Sequence, residues 1–362
     1  LEEASLTGKR IKNTKEGEDI ETEDIDLYWI THHWLLRNKR HLMPMVAFSS
    51  LKNMKFAWDV VSKIIDRGGK KLTKPREEWF VEGLHTSPQG VSQVVFLTRP
   101  FHKGRIEEAF IILQDEKGKY IHGKIQSVGE DVYIDKNKVL PSLRTLTGVM
   151  QFDIADLHDY VVISPYPKCQ DVMRVSKLKV KELDWSRFET ECKSRLTNLT
   201  VAHRINWYSP NVAHLAFYSD KPYAPSDQMK VVRVRNQDDA KIMALTMNST
   251  PFLLELFMLK EETTGRYLNI RIEDLTSTHV LDPEQLTKTQ KIRLLQLFDE
   301  LGKTEFPGFR QQFKQRFHGR VELDNEILRV LGLSTEEIKR LLPKLYDMLY
   351  EEMMKIRSLR KD

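Results

Sequence analysis

Cysteine is nearly missing from this chain of 362 residues: Cys169 and Cys192 are its only two. Two are too few for a disulfide framework or an all-thiolate zinc site, and a reducing, cytoplasmic setting is expected. No apolar run reaches the roughly 18 residues of a membrane-spanning helix, so no membrane partner is expected. Neither a Gly-x-Gly-x-x-Gly turn nor a Gly-Lys-Ser/Thr loop occurs, which leaves nucleotide phosphates without a ready cradle of backbone N–H groups. Eleven histidines are present, but none shows His-Glu-x-x-His spacing. The start, Leu-Glu-Glu-Ala, has neither the basic nor the apolar segment of a signal peptide and no initiator methionine. The expectation is a piece of a longer protein.

What remains is a globular composition, 40% hydrophobic and 30% charged, long enough for about two or three domains. The net charge of +5 is unevenly spread. Residues 1–24 hold eight acidic and four basic residues, 283–362 hold thirteen acidic and sixteen basic, and the middle carries the largest positive surplus. That is a moderate bias toward polyanions.

The charged, aperiodic stretch 1–24 reads as a linker from a missing upstream domain. Helical spacing covers 56–65, closed by Gly68-Gly69. Strands are expected at 91–97, 106–113, 120–125, 131–134 and 160–164, the last stopped by Pro165 and Pro167. A helix at 185–196 leads to strands at 199–207, 213–219 and 229–235. Two helices follow, 238–247 with Asp238 as N-cap and 251–260 opened by Pro251. After Pro283 the chain turns helical at 284–301, 309–317, 323–331 and 335–357. The last of these opens with a capping box at Ser334–Glu337 and contains Pro343. The fold class is therefore α+β: a β-rich recognition region with packed helices over 25–282, divisible at 165/166 into two lobes, then an all-helical subdomain over 283–362.

His32-His33, the tightest histidine group, reads as part of an aromatic cluster with Trp29 and Trp34. Asp115-Glu116-Lys117 reads as a hairpin tip rather than half of a nuclease metal site. Met243, Met247 and Met258 have the spacing of packing residues. The segment 201–275 is different, because it concentrates basic and aromatic residues in strands and loops. Arg and Asn can bridge base edges, Lys and Arg neutralise phosphates, and Trp and Tyr offer stacking faces. The residues singled out are Arg204, Asn206, Tyr208, Lys221, Tyr223 and Arg235, with Arg266 and Tyr267 in a later Gly-Arg-Tyr turn. An alternative for Trp207 and Tyr223 is that they are core aromatics.

The pattern from Val132 to Leu275 resembles the target-recognition half of adenine-specific (N6) DNA methyltransferases of restriction–modification type. The residues that carry it are YVVISPYP at 160–167, the Trp-containing strand INW at 205–207, the Asn-Ser helix in ALTMNSTPFLLELF at 244–257, and TTGRYLNIRIEDL at 263–275. LDNEILRVLGLSTEEI at 323–338 resembles tails attached to such enzymes. The chain departs from the family in lacking a Gly-rich S-adenosylmethionine loop and an Asn/Asp-Pro-Pro-Tyr/Phe motif, whose aromatic ring stacks on the flipped base. The resemblance therefore implies a recognition fragment that has no cofactor of its own. Its partners would be double-stranded DNA and an upstream methyltransferase domain that uses S-adenosylmethionine. Two alternatives are a metal-dependent nuclease and a non-catalytic interaction scaffold of a defence complex.

Overall fold

The computed structural model describes residues 20–21, 26–27, 50–86, 91–100, 111–126, 128–175, 183–259 and 268–358. The chain is α+β, as expected from its patterning. The first long helix, Leu51–Gly68, follows from three local features. The Ser50 side chain accepts from the Asn53 N–H at 3.2 Å. Met54, Ala57, Val60, Val61 and Ile64 fall on one face and are buried. Gly69 then ends the helix with φ at +49°, a backbone region that favours glycine.

A seven-stranded sheet forms the centre. From one edge its order is Phe80–Glu82, Met229–Val232, Thr197–Ala202, Ala216–Pro225, Val139–Leu143, Asp159–Val162 and Phe96–Leu97. All neighbours are antiparallel except Ala216–Pro225 with Val139–Leu143. A bridge from Leu84 to Ser226 ties the end of Ala216–Pro225 to the segment after the edge strand, so part of the sheet curls on itself. Gly83 permits that approach, since a Cβ there would stand 2.0 Å from the Ser226 carbonyl oxygen. A separate three-stranded sheet, Ile111–Lys117, Tyr120–Ile125 and Glu130–Asp135, is a meander whose first turn is Gly118-Lys119.

Two hydrophobic cores result. The smaller joins Val91, Phe96, Ile111, Ile121, Ile134, Val161, Met173, Phe188 and Cys192 across the 165/166 boundary. The larger runs from Met54 through Phe152, Leu199, Phe217 and Leu254 into Phe298, Phe306, Ile327 and Met353. The helical tail, Lys288–Leu301, Phe309–Gln315, His318–Val330 and Thr335–Ser358, thus shares the core of the sheet instead of building its own.

A buried polar network locks this junction. The Asn248 side chain accepts from the Leu215 and Ala216 N–H groups at 2.8 and 3.1 Å and donates to the Ala216 carbonyl at 2.8 Å. Its backbone carbonyl accepts from Arg320, which also donates to Gln312 Oε1 at 2.8 Å. One turn along the tail helix, Asp324 accepts from the Thr250 N–H at 2.7 Å, the Thr250 hydroxyl, and the Tyr346 hydroxyl at 2.7 Å. Arg320 and Asp324 are fully buried.

Several elements differ from the periodicity reading. Residues 91–95 are a helix, Val91–Val95, and only Phe96–Leu97 is strand. Val91, Val94 and Val95 are buried, and a short apolar run of that kind has no period to separate helix from strand. The strand read at 229–235 stops at Val232. Asn236, not Asp238, caps the helix Gln237–Asn248 by accepting from the Asp239 N–H at 2.8 Å. After Leu268–Asn269 the chain becomes the helix Ile272–Ser277, because the Asp274 carboxylate accepts from the Arg271 N–H at 2.8 Å and opens a turn. The Ser334–Glu337 capping box forms as read, with bonds of 2.9 and 3.3 Å, and the helix runs through Pro343.

Candidate nucleic-acid interface

Arg204 lies in the short strand Arg204–Ile205, exposed, with Asn269 opposite it. Asn206 is half-buried and uses its side-chain oxygen to accept from the Tyr208 N–H at 3.1 Å. That bond makes a tight Asx-type turn. Tyr208 is half-buried against the larger core. Between them Trp207 is buried with its ring 5.0 Å from Phe309, and its indole Nε1 finds no partner among the described residues.

Lys221 is exposed where the strand Ala216–Pro225 bulges out between its pairings with Leu199 and Thr197. Its own N–H is held by the Ser219 hydroxyl at 3.0 Å. Arg204 follows the other end of Thr197–Ala202, whose six residues span roughly 20 Å. The structure therefore offers Arg204 and Lys221 as two separate cations rather than one pair.

Tyr223 requires a correction. It is fully buried, and its hydroxyl meets the Thr200 hydroxyl at 2.7 Å and donates to the Phe217 carbonyl at 2.8 Å. Burial pushes its pKa far above the ordinary tyrosine range. A ring in that position has no face for a base, so Tyr223 is framework, as is Trp207. Arg235 is half-exposed but committed to Asp239 at 3.1 Å and to Glu284, bracing the start of the helix Gln237–Asn248. Arg266, Tyr267 and the Trp29–Trp34 cluster lie outside the described residues. Met243, Met247 and Met258 are buried packing residues.

A group that sequence reasoning missed lies where three neighbouring strands end. Asp159 is fully buried, and its carboxylate accepts from the Arg99 N–H at 2.9 Å and the Arg144 N–H at 2.8 Å. The Arg99 guanidinium also faces it, with Nε at 3.5 Å. Burial pushes the Asp159 carboxyl up, while Arg99 and the two N–H donors pull it back down. Next to it His158 is buried beside Tyr223, ring centroids 5.7 Å apart, and its Nε2 finds no partner among the described residues. Burial first, then Arg99 and Lys221, push His158 down to about 4, so the ring is neutral near pH 7. An acidic residue beginning the strand Asp159–Val162 was the available signal.

Among the described residues no group of three or more His, Cys, Asp or Glu side chains could hold a metal ion, and no helix is long and apolar enough to cross a membrane. Asp115, Glu116 and Lys117 end the first strand of the meander, paired with Tyr120–His122, and the turn itself is Gly118-Lys119. No protein-family profile and no curated protein matches the chain. Its fold is similar to part of a solved structure, that of the type IIG restriction endonuclease BpuSI, with a TM-score of 0.52 at 11% identity. The likeness covers 82% of this chain but only 33% of that one, so the chain spans about a third of the length of the protein it resembles.

Proposed function

We propose that this chain is a DNA target-recognition region of a restriction–modification protein, positioning a specific duplex sequence for adenine-N6 methylation by a catalytic domain outside the chain. The observation that carries the reading is the fold likeness to one third of a type IIG restriction endonuclease, over most of this chain. The exposed cations Arg204 and Lys221 support it, as does a rigid sheet behind them. Lys and Arg contacts to phosphate orient such a region on the duplex, and loop side chains read base edges. Arg204, Asn206, Tyr208 and Lys221 are the described residues we assign to contact. Arg266 and Tyr267 join them on sequence grounds. S-adenosylmethionine belongs to the partner domain.

The test is duplex binding by fluorescence anisotropy over a salt series. Combined Arg204→Ala and Lys221→Ala changes should lower the slope of log affinity against log salt by about two. An unchanged affinity and slope would remove these residues from the interface.

A further inference from the structure

We propose that His158, Arg99 and Arg144, with Lys221 at the rim, form an anion subsite at the strand ends of the seven-stranded sheet that takes one backbone phosphate of DNA. Deepening the target-recognition reading, this assignment rests on that reading for its ligand, though not for its chemistry.

The site is built from the backbone outward. Residues Asp159–Val162 pair with Val139–Leu143 on one side and Phe96–Leu97 on the other, so the residues just past those pairings converge. Asp159 fixes them, because one buried carboxylate binds the N–H of Arg99 from one neighbour and of Arg144 from the other. The Arg99 guanidinium faces that carboxylate with Nε at 3.5 Å, and the charge of Arg144 also favours its ionised form. The Ser226 hydroxyl, donating to the Arg144 carbonyl, holds the third side of the turn.

His158 is the second, independent observation. Its side chain is only 8% exposed, yet its Nε2 is buried with no partner among the described residues. A buried polar atom left unsatisfied is costly, and a bound ion or ligand is one way for such an atom to find its partner. The neighbours that act on the ring are Arg99 and Lys221 on the positive side and Asp220 and Asp156 on the negative, with the two cations the stronger. Asp156 is itself paired with Lys303. A neutral imidazole donating Nε2–H, with the Arg99 guanidinium and the Lys221 ammonium acting on it, matches a phosphate oxygen in both hydrogen bonding and charge.

The experiment uses the whole chain with inorganic phosphate as the probe and the His158 ring resonances as the readout, identified by their loss in His158→Gln. Phosphate should shift them saturably, and Arg144→Gln should weaken that binding by about tenfold or more. The same Arg144→Gln protein should show a salt slope for duplex DNA reduced by about one. If Arg144→Gln does not fold, the wild-type titration decides alone. His158 resonances unmoved by phosphate, in a chain that binds duplex DNA, would overturn the subsite and leave the recognition reading standing. Saturable shifts in a chain that binds no duplex would keep the anion subsite and remove its DNA ligand.

Discussion

The junction of sheet and helical tail and the ends of the central strands both bury charge, but they treat it differently. At the junction Arg320 and Asp324 reach Asn248, Gln312, Thr250 and Tyr346, and of the atoms of that pair Arg320 Nη2 finds no partner among the described residues. At the strand ends Asp159 is held by backbone N–H groups and His158 beside it likewise keeps an unsatisfied nitrogen, but Lys221 next to it is exposed. A charged pair bonded from several elements fixes a framework, whereas a pinned group with an exposed cation beside it can take a further partner. That contrast separates the residues that hold this fold from those offered to a ligand.

Breaking the junction network should give the largest effect. Asp324→Ala leaves the Arg320 guanidinium buried without its carboxylate, and a loss of about 3–5 kcal/mol is expected in denaturant unfolding. The paired change Arg320→Met with Asp324→Leu should cost less than Asp324→Ala alone, because no charge is left stranded. A paired loss larger than the single one would mean that the network is worth more than its repair by apolar packing.

Gly83→Ala comes next. The added Cβ would meet the Ser226 carbonyl, and the backbone must shift to accommodate it, at about 1–3 kcal/mol. A thermal midpoint equal to wild type would show that the curl of the sheet is not tight there.

The junction side also carries an acid-sensitive group. His214 is fully buried among Phe152, Phe217 and Phe306, with its Nε2 at 3.1 Å from the Met150 carbonyl oxygen. Burial, then Arg320, push it down to about 3. Because the folded pKa lies below the unfolded one, its stabilising neutrality is fully present above the unfolded value of about 6.5 and is lost as pH falls toward 3. His214→Phe should flatten stability against pH across that window in urea unfolding, and a slope identical to wild type would assign the acid sensitivity elsewhere.

The smallest effect is expected at Glu337. Lys63 first, then the Ser334 capping bonds, hold its carboxyl down to about 2. The ion pairs to Lys63 at 2.8 Å and Arg67 at 3.6 Å tie the first long helix to the tail. A depressed carboxyl contributes above its unfolded pKa of about 4.5 and is lost as pH falls through about 2. Glu337→Gln should therefore cost a little at pH 7 and nothing near pH 2, and an equal cost at both would mean the cap matters through its shape alone.

The junction was the more legible of the two in the sequence. Its helices follow from apolar spacing, from the Ser334–Glu337 cap and from Pro251, signals that act within a few residues. Arg320 and Asp324, four apart beside Leu323 and Ile327, sit on the buried stripe of the helix His318–Val330, a signal present but unread. Tyr223 was misjudged because an aromatic in a strand beside exposed Asp220, Lys221 and Pro222 has no local mark of facing inward. Arg99 and Arg144 follow two different strands, and only tertiary pairing brings them to the carboxylate of Asp159, the neighbour of His158.

Target recognition is the central claim, and sequence selection tests it most directly. Incubating the purified chain with a pool of randomised duplexes at moderate salt and sequencing the retained fraction should enrich one short motif. Arg204→Ala with Lys221→Ala should reduce the amount retained without changing that motif, since phosphate contacts position the protein and carry no sequence information. Retention of duplexes with no enrichment, or no retention at low salt, would contradict the account.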